Sequence, residues 1–528
     1  MSRTPLFQIL KNAFVKARLL EHKAISSDQI EEQEYRLRIP RRKFLTGTAA
    51  VISTSVLTPK IIQASSAVQP TVAIIGAGLT GLHCAYRLFK AGIRSTIFEA
   101  SGRIGGRIQT ARGAFPSDQV IELGGEFLDT GHKNLYALLR ELGVQTYDIF
   151  ASDTTESNLS YIDGRKISKA EMADAFRPIV RQVAAVLKKA KADPSTLRQI
   201  DRMNIREWLE TMPDISPMVK KSLEVGYTIE FGLDADEQSA LNLINMVNPN
   251  EESSLIGDSD MRFMIRGGND TLTTRLAQTL PEGSINTKTI LVRIKEVHKA
   301  YELTFENEGR TFTKNYEIVV LSLPFSTLRL VDMQVKIDPL QRELIKNLGY
   351  ATNAKLIGGF SERIWRTKHN QNGRATSNTE LQQTWESSRA QAGHEGVITN
   401  FLGGKVGLHA DRKPPEERFS LTLDLLEPIF PGIKGVYLPG SVIRKHWPTS
   451  PYYRGSYACA RPGQLLLLNS EKAGKRIHNI HLCGEHLSPT PAAQGFMEGA
   501  CLSGAKVARD ILLDLRQKEL AQQIPVIL

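Results

Sequence analysis

The sequence predicts an α/β fold in which a parallel sheet organises one domain and mixed α+β structure a second. Three observations predict it. Residues 71–99 read as strand, glycine-rich turn, helix and strand. Residues 480–504, near the other end, read as a further strand, glycine-containing turn and helix. The chain has 528 residues, more than one hydrophobic core usually organises.

The first unit opens with TVAIIG at 71–76, an apolar run of buried-strand type. Gly76, Gly78 and Gly81 follow in G-A-G-L-T-G. Leu79, Leu82, Ala85, Tyr86 and Phe89 then recur on one helical face. The second strand, STIFE, ends at Glu99. Gly76 permits a tight turn, Gly78 lets backbone approach a pyrophosphate, and Gly81 lets the helix pack closely on the strand. The helix N-terminus offers free N–H groups and the positive end of its dipole to phosphates. Glu99 is placed to accept from a ribose hydroxyl. Together these parts specify a Rossmann-like dinucleotide site.

After Glu99 comes A-S-G-R-I-G-G-R, with Arg103, Gly105, Gly106 and Arg107. The far unit reads IHLCGEHLSPTPAAQGFMEGACLSG, with Gly484 and Glu485 at the strand end and a helix beginning near Gln494. This pair of motifs resembles the FAD-binding oxidoreductases of glutathione-reductase type, and within them the flavin amine oxidases. The resemblance covers roughly residues 70–516. It implies that Gly105, Gly106 and Arg107 lie along the FAD diphosphate, with Arg103 in the same motif. It implies that Glu485 meets the ribityl or diphosphate region, that Gly495 and Phe496 lie beside the isoalloxazine, and that Val292 contacts the adenine. It also implies a discontinuous domain plan. The FAD-binding domain would comprise 70–129, 262–325 and 446–516, and the substrate-binding domain 130–261 and 326–445. Residues 288–294 and 316–324 read as strands. Leu135, Leu138, Leu139 and Leu142 share a helical face, 168–192 is a long amphipathic run, and the polar stretch 366–380 is a loop candidate.

Five side chains are candidates for the reaction itself. Lys355, in NAKLIGGF, resembles the family lysine that holds a water against flavin N5. Phe496 occupies one position of the family's aromatic cage, while the other falls near Ser456, with Tyr457 beside it and Trp447 upstream. Gly455 stands where monoamine oxidases carry a flavin-linked cysteine, so the FAD is expected to be non-covalent. In IELGGEF, Gly124 and Gly125 resemble the close approach to the flavin. Glu126 follows in the stretch that lines the substrate cavity in the family, where L-amino acid oxidases tend to place an arginine for the substrate carboxylate; none lies between Gln119 and Gly131, so the resemblance implies a cavity that favours a cationic amine over a zwitterion. His446, His481 and His486 lack ligand spacing and the four cysteines form no C-x-x-C pair, so no metal is expected.

The activity that the resemblance implies is oxidation of an amine to an imine, hydrolysis to an aldehyde or oxo-acid plus ammonia, and reduction of molecular oxygen to hydrogen peroxide. An L-amino acid oxidase or tryptophan 2-monooxygenase is the nearest alternative. A flavin-binding scaffold or redox partner without turnover is another.

Composition is ordinary for a globular protein, with 41% hydrophobic and 23% charged residues. The net charge of +11 is uneven: residues 1–67 hold eleven Lys or Arg against five Asp or Glu, a net of +6, leaving +5 for the rest. A basic leader on a balanced body argues against a nucleic-acid partner. Arg41 and Arg42 precede Lys43-Phe44-Leu45, an uncharged run to Pro59, and small residues ending at Ala67. This resembles a twin-arginine signal and implies the twin-arginine translocase as partner, with a periplasmic or secreted destination or an anchoring uncleaved leader. Upstream, Leu6, Phe7, Leu10, Ala13, Phe14 and Ala17 recur at helical spacing in what reads as a discarded extension or a weak membrane-surface helix. The oligomeric state stays open, a homodimer being one arrangement.

Overall fold

The protein is described here from a computed structural model, which places residues 70–151, 153, 159–246 and 260–527, together with Ala13, Phe14 and Ala17. Arg41, Arg42 and the rest of the leader signal lie outside the described residues.

Strand β1 (Val72–Ile75) is buried at all four positions, as a strand covered on both faces requires. It runs parallel to β2 (Ser95–Phe98) on one side and to Ile318–Leu321 on the other. Ile285–Asn286 and Ile480–Leu482 close the edges of this five-stranded sheet, and every pairing in it is parallel. Helix α1 (Leu79–Lys90) crosses from β1 to β2 and buries Leu82, Cys84, Ala85 and Leu88. Phe89, expected on that face, is 36% exposed. The helix ends at Ala91, and Gly92 follows at φ +82. Arg87, in its last turn, pairs with Glu141 at 2.7 Å, a cation placed where the helix dipole favours it.

Helix α2 (Met497–Asp514) packs beside α1, with Cys501, Ala505 and Ile511 fully buried in the same core. It starts later than the sequence suggested, because Pro491–Ala493 forms a separate 3₁₀ turn. The other face of the parallel sheet is covered by a four-stranded sheet containing Thr289–Val297 and Ala300–Asn307. Phe98 stacks on Phe305 across this layer at 4.1 Å.

A seven-stranded sheet carries the rest. Its central strands are β3 (Ala354–Phe360), β4 (Ala375–Ser377), β5 (Gln383–Glu386) and β6 (Gly396–Leu402), in the spatial order β3-β6-β5-β4. Strand β4 lies inside the polar stretch read as a loop. The stretch misleads because Arg374, Thr376 and Ser377 are polar and buried, which erases the alternation that marks a half-exposed strand. The 168–192 run forms two helices, Lys169–Ala175 and Arg177–Ala192, joined at Phe176. Ala13, Phe14 and Ala17 are buried in the helical core of this region, with Phe14 edge-on to Phe176 at 4.8 Å. In the structure those three residues are part of a packed core, a placement that neither a loose extension nor a membrane-surface helix describes. All four cysteines are buried, and none forms a disulfide. No helix among the described residues is long and apolar enough to cross a membrane.

Candidate active site

A single elongated cavity runs from the C-terminal ends of β1 and β2 to the seven-stranded sheet. Its near end is a cradle of Gly76, Gly78, Gly105 and Gly106. Gly76 takes φ +105, a conformation L side chains rarely adopt. At Gly78 a Cβ would meet nothing closer than the Gly106 Cα at 3.9 Å, so its missing side chain is open cradle space. Gly78 also caps α1 and gives it no side-chain hydrogen bond, which leaves first-turn N–H groups without a side-chain cap beside the cavity. Glu99 is buried at the end of β2 and lines the cavity. It accepts from the Ala77 N–H at 2.8 Å and from the Ser101 hydroxyl at 2.7 Å, which fixes its carboxylate. An anion-binding helix end, a glycine cradle and a positioned acid fit a dinucleotide.

The middle of the cavity is braced from the far end of the chain. Glu485 pairs with Arg107 at 2.8 Å and accepts from the backbone N–H groups of Ala458 and Gly495. Burial raises its proton affinity, but Arg107 and these donors outweigh that and hold the carboxyl below its usual range.

The far end has aromatic walls: Phe127, Trp385, Phe401, Trp447, Tyr457 and Phe496. The Tyr457 hydroxyl donates to the Glu230 carbonyl at 2.8 Å, and Phe496 stands edge-on to His132 at 5.7 Å. Lys355 enters from β3 with its side chain 4% exposed. Its ammonium donates to the carbonyls of Glu122 and Gly124 at 2.9 and 3.0 Å and to the Glu126 carboxylate at 2.7 Å. Glu126 also accepts from Trp385 Nε1 at 2.9 Å and Ser387 Oγ at 3.0 Å.

The model of the flavin-containing amine oxidoreductase family matches residues 79–512, most of the chain. The chain belongs to that family. Among its relatives, the pig flavin-containing amine oxidase B is 22% identical over 474 residues, covering 84% of this chain and 86% of its own. An L-amino acid dehydrogenase of a Synechocystis strain is 23% identical over 472 residues, covering 83% and 94%. The solved structure of a cyclohexylamine oxidase from Brevibacterium oxydans superposes at TM-score 0.72 with 20% identity, covering 85% of this chain and all of that one.

The cofactor of this amine oxidoreductase is therefore FAD, and the cradle residues fit it. Of the residues singled out from the sequence, Gly76, Gly78, Glu99, Gly105, Gly106, Arg107, Gly124, Gly125, Gly484, Glu485 and Gly495 all line the cavity, as do Glu126, Lys355, Trp447, Tyr457 and Phe496. Gly81, Arg103 and Val292 do not. Gly81 packs against the Gly76 carbonyl, where a Cβ would come within 2.1 Å. Arg103 braces the glycine turn by donating to the Gly106 and Ile108 carbonyls and to the Tyr453 hydroxyl. Val292 is half-buried at a bulge between Leu291 and Arg293, although its strand docks on Glu99 through the Thr289 N–H at 2.8 Å.

Glu126 is the principal correction. A free negative charge for a cationic substrate was expected, and the structure instead ion-pairs the carboxylate with Lys355. The same geometry qualifies the expected water-holding role of Lys355, because the three protons of its ammonium all have protein acceptors. Trp385, Phe401 and Asn353 were missed as lining residues. Trp385 and Phe401 sit on strands whose burial on both faces gives no period-2 signal.

Proposed function

We propose that the amine oxidoreductase oxidises a primary amine at the aromatic end of the cavity, with non-covalent FAD as its electron acceptor. The overall reaction converts amine, oxygen and water into aldehyde or oxo-acid, ammonia and hydrogen peroxide. When bound, FAD would take up the hydride, a proton with two electrons, from the carbon that bears the amine, while the nitrogen loses a proton. The chain's own residues bind, orient and exclude water. The glycine cradle and Arg107–Glu485 hold the cofactor's phosphate and ribityl regions, while Trp447, Tyr457 and Phe496 clamp an apolar chain. Lys355 keeps a positive charge at the cavity wall, where it would favour anionic character developing nearby. The observation that carries this reading is the continuity of one cavity from the cradle to the aromatic walls and the Lys355–Glu126 pair.

Non-covalent binding is supported by the cysteines, none of which lines the cavity, and by Gly455, at φ +143 with the Tyr350 Cβ 2.7 Å from where its own Cβ would be. The division into an FAD-binding domain (70–129, 262–325, 446–516) and a substrate domain (130–261, 326–445) is part of this proposal, and what supports it is that all five strands of the parallel sheet fall in the first set. Export by the twin-arginine route rests on the Arg41-Arg42 context.

Anaerobic mixing of the holoenzyme with amines and amino acids tests the function. Bleaching of the oxidised flavin band by at least one of them is expected, and its absence across the panel would make the non-catalytic flavin protein the better reading.

A further inference from the structure

On the cavity-facing side of the seven-stranded sheet, beyond the residues that line the cavity, lie two buried polar side chains with atoms that no group among the described residues satisfies. Strand pairing sets their direction. Lys355 on β3 stands opposite Phe401 on β6, and Phe401 stands opposite Gln383 on β5. In the next row Thr399 stands opposite Trp385, and the register of β4 on β5 puts Arg374 beside Trp385. Paired residues, and every second residue along a strand, share a face. Lys355, Phe401 and Trp385 line the cavity, so Gln383 and Arg374 lie on that same face, further along the sheet.

Gln383 is fully buried, and neither its amide oxygen nor its nitrogen has a hydrogen-bond partner. Arg374 is 5% exposed, and its Nε and Nη2 have no acceptor either. Its guanidinium lies over the Phe150 ring at 5.1 Å, with Arg389 on the same ring at 4.8 Å. The nearby carboxylates already have partners. Asp153 pairs with Arg366 and Arg389, Glu386 with Arg363 and Arg366, and Glu126 with Lys355. Among the described residues the cluster therefore holds more cations than anions. Burial, then the neighbouring Arg389, pushes the Arg374 guanidinium well below its usual range. Unsatisfied buried donors are rare in native proteins and need a partner to explain them.

We propose that Arg374 and Gln383 form a binding subsite for the carboxylate at the distal end of the amine substrate. A guanidinium and an amide present planar N–H donors that match a carboxylate. Gln383 sits two strands from Lys355, roughly 10 Å at the usual strand spacing, and Arg374 lies one strand further. An α-amino acid, with one carbon between its amine and carboxylate, does not span that distance. The substrate class is an ω-amino carboxylate with several methylene groups between the two ends. This rests on amine oxidation occurring beside Lys355.

The test compares 6-aminohexanoate, hexylamine and leucine as reductants of the holoenzyme, and measures hexanoate binding by calorimetry. Wild type should favour 6-aminohexanoate over both others by about tenfold or more. Arg374→Met should raise the Michaelis constant for 6-aminohexanoate by about tenfold to a hundredfold while leaving that for hexylamine within about twofold. Gln383→Leu should act in the same direction and keeps the test open if the arginine variant does not fold, since it only removes an unpartnered amide. Equal effects on both substrates, or a wild type that prefers hexylamine, would overturn the subsite. If no amine reduces the flavin, amine oxidation fails, and hexanoate still decides: binding that Gln383→Leu abolishes supports the subsite, and no binding overturns it.

Discussion

Two buried glutamates in IELGGEF illustrate how much a single residue's meaning depends on its neighbours. Glu126 is held by Lys355, Trp385 and Ser387, so Lys355→Met would leave a buried carboxylate without its cation. Breaking one side of such a pair typically costs about 3–5 kcal/mol. We expect Lys355→Met to lower the melting temperature sharply, and Lys355→Met with Glu126→Gln to recover most of the loss, the coupling being read from a double-mutant cycle. If the melting temperatures of the two variants are additive, the pair is not a unit. In the recovered double variant, flavin reduction or reoxidation should still be slowed about tenfold or more, because the charge at the wall is gone. Stopped-flow rates matching wild type would remove Lys355 from the chemistry. Glu122 behaves differently. Burial pushes its carboxyl up to about 8, against hydrogen bonds from the Asn269 N–H and the Thr110 hydroxyl. Because its folded value lies above its unfolded one, its stabilising contribution is complete below about pH 4.5 and is lost as the pH rises through about 8. The loss is roughly 3–5 kcal/mol by linkage. Glu122→Gln should therefore flatten the fall of the melting temperature between about pH 5 and 9. Parallel curves for variant and wild type would refute that origin.

At the scale of elements, the glycine-bearing turns were legible in the sequence and the polar strands were not. Gly76, Gly78, Gly81 and Glu99 occupy a β-α-β unit whose spacing follows from fixed backbone geometry, so sequence alone located them. Strand β4 was missed because Arg374, Thr376 and Ser377, polar and buried, break every apolar pattern. Trp385 and Phe401 could have been found only by knowing that β6 pairs with β3 and β5 with β6. The partnership of Lys355 with Glu126 was invisible too, since the two are far apart in sequence and meet where the loop after Ile121–Glu122 packs against β3. One contact between elements is directly testable. Glu498, in the first turn of α2, accepts from the backbone N–H groups of Asn134 and Leu135 and so caps helix Lys133–Glu141 from outside. Glu498→Ala should cost about 1–3 kcal/mol, because buried donors at a helix N-terminus are left unpaired. Unfolding in denaturant would measure it, and an unchanged midpoint would show that another group takes over the cap.

For the whole molecule, FAD held only by contacts should leave the chain when it unfolds. The purified protein should be yellow, and acid precipitation should release the flavin to the supernatant; colour retained in the pellet would mean a covalent link. The parallel sheet adds a constraint in time. Its strands come from Val72–Ile75, Ser95–Phe98, Ile285–Asn286, Ile318–Leu321 and Ile480–Leu482. A ribosome must therefore add roughly 400 residues after the first strand before the last can dock, which takes about 20–80 s at ordinary elongation rates. Throughout that interval the glycine cradle exists without Arg107's partner Glu485 and without α2 covering Leu82 and Cys84. Cofactor capture is thus a late event of biosynthesis, and a nascent chain stalled short of Ile480 should hold no flavin, however complete its first β-α-β unit.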